Sequence, residues 1–475
     1  MNKDKEKFSP FYGKMKEECI PDIAIRTFEH YYHRLLEGSD GFIRERDIVP
    51  IVSLPDLESL PARLAETGQR AVHETVIIKL NGGLGTGMGL NGPKSLLKVK
   101  NGLTFLDIIV RQALHDRIPL LLMNSFATRD DTLAALERYP ELAGKLPIDF
   151  VQHKVPKVTV SDLSPAVWPD NPSLEWCPPG HGDIYTSLLT GGVLDLLLQK
   201  GYRYAFVSNS DNLGAVMNRI ILGYFAENRI PFLMEVAART EEDKKGGHLA
   251  MYPDGRLLLR ESAQCAPDDL SSFQDITRHR YFNTNSLWIN LSELKTLLDS
   301  RDNILELPLI RNRKTIDPRD LTSTPVYQLE TAMGAAISLF SGSTALKVPR
   351  TRFLPVKTTN DLFAIYSDAY VLSNDCRVVQ NPNKESGGPP MSINLDRRYY
   401  RYIDQLEARL PYGPPSLTEC ERVTINGDIR FGRNVEFKYA VELINDTDSQ
   451  IEIADGSIIE GRCLLSKMPG ECSGA

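Results

Sequence analysis

The sequence predicts an α/β fold with a mostly parallel sheet, followed by a smaller parallel β-helix at the C-terminal end. The α/β core is indicated by short, continuously apolar runs that alternate with amphipathic segments. This alternation is typical of a parallel sheet that is covered by helices on both faces. The β-helix is indicated by an apolar period of six residues near the C-terminus. The apolar runs occupy residues 76–80, 118–123, 148–151, 204–208 and 231–238.

We expect three regions along the chain: a helical segment over residues 1–70, the α/β core over 71–400 and a C-terminal β-helix domain over 401–475. The first region is polar, and its apolar residues recur at helical spacing before Gly38, which can end a helix. These apolar residues are Ile23, Phe28, Tyr31, Tyr32 and Leu35.

The C-terminal region has apolar residues at two positions in every six. One series is Val423, Ile429, Val435 and Val441, and the other is Ile425, Phe431, Phe437 and Leu443. An ordinary tail of alternating strands could produce the same period by coincidence. The β-helix is favoured because Gly and Asn fall where the corners of each coil require them. The oligomeric state cannot be read from the sequence, but the exposed end of such a helix can stack on a second subunit, so this domain is where a homo-oligomer contact is expected if one exists.

Composition and charge restrict the class of protein. The 475 residues include 55 Lys and Arg and 62 Asp and Glu, a formal net charge of −7, whereas a nucleic-acid-binding protein normally has a basic excess. No run approaches the roughly 18 apolar residues of a membrane span, and the charged N-terminus lacks the apolar core of a signal peptide. The seven cysteines are scattered without a C-x-x-C pair. We therefore expect a cytoplasmic protein with reduced thiols that binds neither nucleic acid nor a membrane.

A glycine-rich loop follows the first apolar run directly. Residues 76–98 read VIIKLNGGLGTGMGLNGPKSLLK, with six glycines over 82–92. Glycines permit a close approach of the backbone, so that successive N–H groups can point at phosphate oxygens, and Lys94 would add a positive charge there. A glycine-rich surface loop without a ligand is the alternative, which the density of glycine after a buried strand disfavours.

Two common phosphate-binding motifs do not fit this loop. A Walker A motif requires Lys directly after the last glycine, but Pro93 stands between Gly92 and Lys94. The dinucleotide fingerprint matches Gly87, Gly89 and Gly92, yet six residues separate it from the strand that it should follow. Both motifs are rejected.

The segment LNGGLGTGMGLNGPK resembles the nucleotide loop of the eukaryotic-type UTP–glucose-1-phosphate uridylyltransferase (UDP-glucose pyrophosphorylase) family. Six further segments resemble motifs of this family in the same order, from about residue 20 to the C-terminal repeat. They are PPGHGD (178–183), SNSDNLGA (208–215), EVAARTEEDKKGG (235–247), FNTNSLWINL (282–291), ETAMGAAI (330–337) and VPRTRFLPVKTTNDL (348–362). The resemblance implies a Rossmann-like nucleotidyltransferase core with a mixed, mostly parallel sheet, which forms the catalytic domain, and a C-terminal left-handed β-helix.

The resemblance also implies a reaction, in which UTP and α-D-glucose 1-phosphate form UDP-glucose and pyrophosphate with Mg²⁺ as the cofactor. The sugar phosphate attacks the α-phosphorus of UTP in line, and pyrophosphate leaves. Such chemistry asks the protein mainly for positioning and charge neutralisation. The expected partners are therefore UTP, glucose 1-phosphate, UDP-glucose and pyrophosphate.

Site residues follow from the same resemblance. Lys94 and Lys357 correspond to catalytic phosphate-binding lysines, and Asp211 corresponds to the Mg²⁺ ligand. Asp211 also follows an apolar strand, where α/β folds place ligands, although an aspartate there could simply cap the next helix. The nucleotide-binding positions are Leu80, Asn81, Gly82, Gly83, Lys94, Met123, Gln152, Gly180 and Asp211. The substrate-binding positions are Gly82, Gly83, His181, Asn209, Ser210, Asp211, Glu261, Phe282, Asn283, Asn285 and Lys357.

Alternative functions stay open at this point. A UDP-sugar pyrophosphorylase of broader or different sugar specificity has similar motifs, and the family often has a second asparagine where this chain has Ser286. A UDP-N-acetylhexosamine pyrophosphorylase is disfavoured, because its loop carries an arginine where this chain reads GTGMG over 85–89. A non-catalytic nucleotide-sugar-binding protein is disfavoured by the presence of Lys94, Asp211 and Lys357.

Overall fold

A computed structural model describes residues 2–144, 146–384 and 391–465 of the chain. The last ten residues of the predicted C-terminal domain, which include Cys472, lie outside the described residues. The division at residues 70 and 400 stays a prediction.

The helices of the described residues are α1 (Asn2–Glu17), α2 (Asp22–Leu36), α3 (Leu64–Ala71), α4 (Phe105–Asp116), α5 (Arg129–Leu136), α6 (Ile184–Thr190), α7 (Val193–Gln199), α8 (Arg219–Glu227), α9 (Leu270–Gln274), α10 (Leu291–Asp299), α11 (Thr359–Tyr366), α12 (Arg397–Tyr400) and α13 (Ile403–Arg409). The strands are β1 (Thr75–Asn81), β2 (Lys98–Lys100), β3 (Leu103–Thr104), β4 (Leu120–Asn124), β5 (Asp149–Val151), β6 (Val155–Pro156), β7 (Val158–Thr159), β8 (Trp176–Cys177), β9 (Tyr204–Asn209), β10 (Phe232–Ala238), β11 (His248–Met251), β12 (Leu257–Arg260), β13 (Tyr281–Asn290), β14 (Ile310–Thr315), β15 (Pro325–Glu330), β16 (Thr344–Lys347), β17 (Tyr370–Leu372), β18 (Val378–Gln380), β19 (Ser392–Leu395), β20 (Ser416–Asn426), β21 (Ile429–Phe431), β22 (Glu436–Ile444), β23 (Ile451–Ile453) and β24 (Ile458–Leu464).

The N-terminal region contains the two long helices α1 and α2. Helix α2 ends at Leu36, and Gly38 adopts the left-handed conformation (φ +81°) just after it. Helices α1 and α2 bury a shared aromatic cluster, in which the rings of Phe11 and Tyr32 lie 4.7 Å apart. The cluster packs against β6, β7 and β8, so these helices cover one side of the α/β core.

The central sheet is mixed and the half that contains β1 is parallel, as predicted for an α/β core. Its strands run in the order β12-β11-β13-β9-β1-β4-β5, with β10 joined to β13 and β16 joined to β10. Strands β9, β1, β4 and β5 are parallel to one another, whereas β13 runs antiparallel to both β9 and β10. The five predicted apolar runs correspond to β1, β4, β5, β9 and β10.

These strands are mostly apolar because both faces of the sheet are covered. Val76 and Ile78 of β1 pack into one hydrophobic core with helices α6, α7 and α10. Ile77, between them, points to the opposite core with α4 and α8. Because β1, β4 and β9 are parallel, their carboxyl ends meet at one edge of the sheet, where Leu80 is in register with Met123 and Asn209.

The C-terminal region forms two small parallel sheets. Strands β19, β20, β22 and β24 pair in that order, and β21 pairs with β23. Val423 is in register with Val441 and Ile425 with Leu443. The chain therefore completes one coil between equivalent positions of the repeat. All eight residues of the six-residue period are buried: Val423, Ile425, Ile429, Phe431, Val435, Phe437, Val441 and Leu443. Parallel pairing with buried repeat positions agrees with the predicted coils, although the assignment as a left-handed β-helix stays a prediction.

Candidate active site

Two lysines from distant segments converge on one carboxylate at the edge of the central sheet. Asp211 follows β9, and its Oδ2 atom accepts hydrogen bonds from Lys94 Nζ (2.6 Å) and Lys357 Nζ (2.9 Å). Burial acts to raise the pKa of Asp211, but the two ammonium groups more than offset burial and lower this pKa below its ordinary value. The carboxylate is therefore ionised, and the cluster of three groups carries a net charge of about +1. The three residues singled out as catalytic or metal-binding are thus neighbours in space.

Asp211 also has the properties of a ligand for a hard cation. Its second oxygen, Oδ1, is buried and lacks a hydrogen-bond partner among the described residues. The described residues contain no group of three or more His, Cys, Asp or Glu side chains that could enclose a metal ion. A single carboxylate fits Mg²⁺, which usually keeps water and substrate phosphate oxygens among its ligands.

The glycine-rich loop holds Lys94 at this edge. The loop leaves β1 at Asn81 and returns, so that the Lys94 N–H donates to Gly83 O (3.1 Å). A short bridge between Leu84 and Pro93 closes its base. Lys94 is then the first residue of a 3-10 turn whose preceding residue is Pro93. The loop therefore brings exposed backbone and one ammonium group to the strand ends.

Gly82, Gln152 and Gly180 form one wall beside the loop. The Gln152 Nε2 atom donates to Gly180 O (2.7 Å), and a Cβ atom on Gly82 would lie 2.9 Å from Gln152 Oε1. Gly180 has φ +79°, and a Cβ atom there would lie 2.4 Å from Thr331 O. Only glycine fits at position 180, because both the conformation and the close backbone exclude a side chain.

The residues at the carboxyl ends of β1 and β4 differ in solvent exposure. Leu80 is partly exposed, and its carbonyl accepts from the Ser210 N–H (3.1 Å). Asn81 is buried and donates to Asn124 Oδ1 (2.8 Å) and Thr132 Oγ1 (3.0 Å), so its side chain fixes β4 and α5 while its backbone borders the loop. Met123 is 1% exposed and belongs to the hydrophobic core.

His181 is held as a neutral hydrogen-bond donor. Its Nδ1 atom accepts from the Met333 N–H (2.9 Å), so the proton of the neutral ring lies on Nε2. Burial, with a smaller effect from the charge of Lys357, lowers the pKa of His181 to about 4. Near neutral pH, His181 can therefore offer one N–H to a ligand close to Lys357.

A cluster of polar side chains lies at Asn209, two residues before Asp211. Asn285 Nδ2 donates to Asn209 Oδ1 (2.9 Å), while Asn285 Oδ1 is buried without a described partner. The backbone of Asn285 is left-handed (φ +59°), and its N–H donates to Asn283 Oδ1 (2.9 Å). Asn283 in turn hydrogen-bonds to Glu261, whose pKa is raised by burial despite this contact. These amides and this carboxyl are groups that can pair with sugar hydroxyls.

Phe282 and Ser286 lie next to Asn283 and Asn285 in the same strand, β13. The Phe282 ring lies 4.9 Å from that of Phe353, measured between centroids, and a Cβ atom on Gly246 would lie 2.1 Å from Phe282. The aromatic ring thus closes directly over Gly246. Ser286, which replaces the second asparagine of the family motif, is 0% exposed. Its hydroxyl is buried and has no hydrogen-bond partner among the described residues.

One polar cluster beside the nucleotide wall was missed from the sequence. The carboxylate of Asp183 accepts from the backbone N–H of His153 (2.7 Å) and from Ser187 Oγ (2.7 Å), and it also contacts His153 Nδ1 (3.0 Å). It thereby joins Gln152, the neighbour of His153, to the segment of Gly180 and His181. The aspartate of PPGHGD was visible in the sequence, but no local signal indicated that His153 is its partner.

Comparison with known proteins agrees with this architecture. The family model described as UTP–glucose-1-phosphate uridylyltransferase matches residues 25–438. A protein of that name from Solanum tuberosum is 40% identical over 423 residues, which cover 87% of this chain and 85% of that protein. One from Encephalitozoon cuniculi is 38% identical over 454 residues, covering 94% of this chain and 88% of that protein.

Solved structures are similar over nearly the whole chain. A variant of UDP-glucose pyrophosphorylase from Leishmania major in complex with UDP-glucose superposes with a TM-score of 0.89 at 43% identity, covering 96% of this chain and 99% of that one. A structure from Trypanosoma brucei has a TM-score of 0.85 at 45% identity, covering 96% and 98%. Together with the matched motifs and the cluster at Asp211, these similarities show that the chain belongs to the UTP–glucose-1-phosphate uridylyltransferase family.

Proposed function

We propose that this protein forms UDP-glucose and pyrophosphate from UTP and glucose 1-phosphate. The observation that carries the proposal is the convergence of Lys94 and Lys357 on Asp211 at the carboxyl ends of parallel strands. Ligands of α/β folds bind at this edge. Relatives that carry the name of this activity, and a neighbouring structure that contains UDP-glucose, support the same substrates.

In the proposed reaction, a phosphate oxygen of glucose 1-phosphate forms a bond to the α-phosphorus of UTP, and the bond from that phosphorus to the bridging oxygen of pyrophosphate breaks. The attacking group is already an anion, so no general base is required. Lys94 and Lys357 neutralise the negative charge that accumulates on the phosphoryl oxygens. Asp211 would hold Mg²⁺ through its free Oδ1 atom. When bound, Mg²⁺ supplies further positive charge to the phosphates.

The two walls of the site divide the substrates between them. We assign the nucleotide to the side of Leu80, Gly82, Gly83, Gln152 and Gly180, where exposed backbone groups can pair with uracil. We assign the sugar phosphate to the opposite side, where the Asn283 amide hydrogen-bonds to the Glu261 carboxyl. The residues on the sugar side are His181, Asn209, Ser210, Glu261, Phe282, Asn283 and Asn285.

Pyrophosphate release in a coupled assay tests this function. UTP with glucose 1-phosphate and Mg²⁺ should give rapid release, whereas ATP, CTP and GTP should give little. Galactose 1-phosphate and N-acetylglucosamine 1-phosphate test the alternative of a broader or different sugar specificity. Tight binding of UDP-glucose without turnover would favour the non-catalytic alternative instead.

The wider setting of the activity is also a proposal. We propose a cytoplasmic enzyme, and five cysteines that form no disulfide among the described residues agree with reduced thiols: Cys19, Cys177, Cys265, Cys376 and Cys420. Within the described ranges, no helix is long and apolar enough to cross a membrane. We further propose that β20 to β24 wind as a left-handed β-helix, through whose end a homo-oligomer would form.

A further inference from the structure

The two segments that carry Asp211 and Lys357 are joined by buried polar contacts that the proposed chemistry does not use. We call residues 208–216 the aspartate segment and residues 351–357 the lysine segment. The two approach each other as a short antiparallel pair, with a bridge between Asn212 and Pro355. The Leu213 N–H donates to Leu354 O (3.2 Å), and the Val356 N–H donates to Asp211 O (3.1 Å).

Asn212 is the side chain that joins the two segments. Its Oδ1 atom accepts from the Leu354 N–H (2.8 Å) in the lysine segment and from the Gly214 N–H (3.1 Å) in its own segment. Its Nδ2 atom donates to Arg352 O (3.3 Å). Asn212 is 4% exposed, so removing its side chain takes away the partners of buried backbone groups.

The backbones approach closely at the same place. A Cβ atom on Gly214 would lie 2.5 Å from Thr351 O and 2.7 Å from the Arg352 carbonyl carbon. Any side chain at position 214 would therefore push the aspartate and lysine segments apart.

The lysine segment is anchored to the central sheet by a buried ion pair. The Arg352 guanidinium donates two hydrogen bonds of 2.7 Å to the Glu235 carboxylate on β10, and a third to Val216 O (3.0 Å) at the end of the aspartate segment. Trp288 Nε1 donates to the same carboxylate (2.9 Å). The arginine therefore ties both segments to the sheet.

The aspartate segment has a second anchor on β1. Lys79 is 3% exposed, and its Nζ atom donates to Ser208 Oγ and Ala215 O, both at 2.7 Å. Ser208 precedes Asp211 and Ala215 follows it, so Lys79 holds the segment on both sides of the aspartate.

We call the buried contacts of Asn212, Arg352 and Lys79 the frame. This frame determines where the ammonium group of Lys357 can lie. The side chain of Lys357 is 55% exposed, so its Nζ atom is held by the bond to Asp211, which forms only where the backbone brings Lys357 within reach. The position of Nζ relative to Asp211 therefore depends on the backbone of the lysine segment. Because catalysis of this type depends on placing charge precisely, a displacement of about 1 Å can cost about 100-fold in rate.

We propose that Asn212 is a positioning residue that keeps the Lys357 ammonium group within hydrogen-bond distance of Asp211. Arg352, Glu235 and Lys79 form the buried base of the same frame. This inference rests on the proposed function. It assigns to Asn212 no contact with substrate, only the alignment of two groups that make such contacts.

A double-mutant cycle tests the proposal. Asn212→Ala should lower kcat by about 10- to 100-fold while the KM for UTP changes by less than about 3-fold, because the nucleotide wall is anchored elsewhere. In a Lys357→Ala background, Asn212→Ala should lower kcat by less than about 3-fold, since the group that it positions is already absent. A purely structural role would give the same factor in both backgrounds, which would overturn the proposal.

A second variant reaches the same frame by a different route. Gly214→Ala should separate the two segments and give the same dependence on Lys357. Asn218→Ala is the matched control: Asn218 caps α8 by accepting from the N–H groups of Ile220 (2.9 Å) and Ile221 (3.1 Å), and has no hydrogen bond to the lysine segment. It should lower the melting temperature without lowering kcat.

Folding and the proposed function are checked separately. Circular dichroism and thermal melting identify a variant that does not fold. If Asn212→Ala is such a variant, Asn212→Ser, which retains one acceptor, takes its place in the cycle. If the unaltered protein releases no pyrophosphate with any sugar 1-phosphate, the proposed function fails. If the unaltered protein is active and the cycle is additive, only the positioning role fails.

Discussion

The ammonium group of Lys94 donates to Asp211 Oδ2 over 2.6 Å, although 117 positions separate the two residues in the sequence. Lys357 donates to the same oxygen from a third segment. One carboxylate therefore holds two cations that it only partly neutralises. The remaining positive charge is suited to phosphate groups.

Removing either lysine should slow the reaction strongly. Lys357→Ala should lower kcat by about 100-fold or more, because a fixed donor that stabilises developing charge is worth this much. Lys94→Ala should have an effect of similar size. Steady-state pyrophosphate release measures both. Lys98→Ala, at an exposed position of β2, serves as the control for the loss of a lysine near the loop, and near-normal turnover of Lys357→Ala would remove Lys357 from the catalytic residues.

Asp211 should determine the dependence on Mg²⁺. Asp211→Asn retains the shape of the side chain but loses the charge, so more Mg²⁺ should be needed for half-maximal activity. Asp211→Ala should weaken the dependence further. A magnesium titration of initial rates measures this shift, with Asp195→Asn at an exposed position of α7 as the control. An unchanged titration curve for Asp211→Ala would contradict the metal role.

Gly180 should be essential for the nucleotide wall. Gly180→Ala combines a left-handed backbone with a Cβ atom 2.4 Å from Thr331 O, so the wall must move and the KM for UTP should rise by about 10-fold. Gly201→Ala is a matched control, because Gly201 is also left-handed (φ +85°) but has no atom within 4 Å of the added Cβ. Gly201→Ala should lower the free energy of unfolding by about 1 kcal/mol and leave the KM for UTP unchanged. Equal KM values for the two variants would contradict a role of Gly180 in the wall.

The sequence predicted those parts of the site that depend on local patterns. The apolar runs located β1, β4 and β9, and parallel strands must bring Leu80, Met123 and Asn209 to one edge. The glycine loop and the motif of Asp211 could likewise be recognised locally.

The frame behind Asp211 could not be predicted in the same way. Asn212 and Arg352 are 140 positions apart, and their contact exists only because the lysine segment packs against the aspartate segment. The antiparallel course of β13 was also not visible, since the residue pattern of a strand does not indicate its direction in the sheet. Lys79 in the apolar run VIIKL was the one local signal, because a lysine within a buried strand must find polar partners.

The buried Lys79 should make the stability of the protein depend on pH. Burial, followed by the nearby charge of Arg352, lowers the pKa of Lys79 from 10.5 to about 7, although Glu235 acts in the opposite direction. Below pH 7 the lysine is protonated in both the folded and the unfolded protein, and the full cost of burying the charge is present. Between pH 7 and 10.5 the unfolded protein binds the additional proton, so the contribution of Lys79 to the free energy of unfolding rises with pH.

Urea denaturation at pH 7.5, 8.5 and 9.5 should reveal this effect as a difference between the unaltered protein and Lys79→Met. The free energy of unfolding of the unaltered protein should rise relative to that of the variant by about 1.4 kcal/mol per pH unit. Lys98→Met separates the effect of burial from the loss of an ammonium group. A difference in free energy of unfolding between the unaltered protein and Lys79→Met that stays constant with pH would contradict the lowered pKa of Lys79. It would also contradict the inference that the lysine bound to Ser208 and Ala215 can lose its charge near neutral pH.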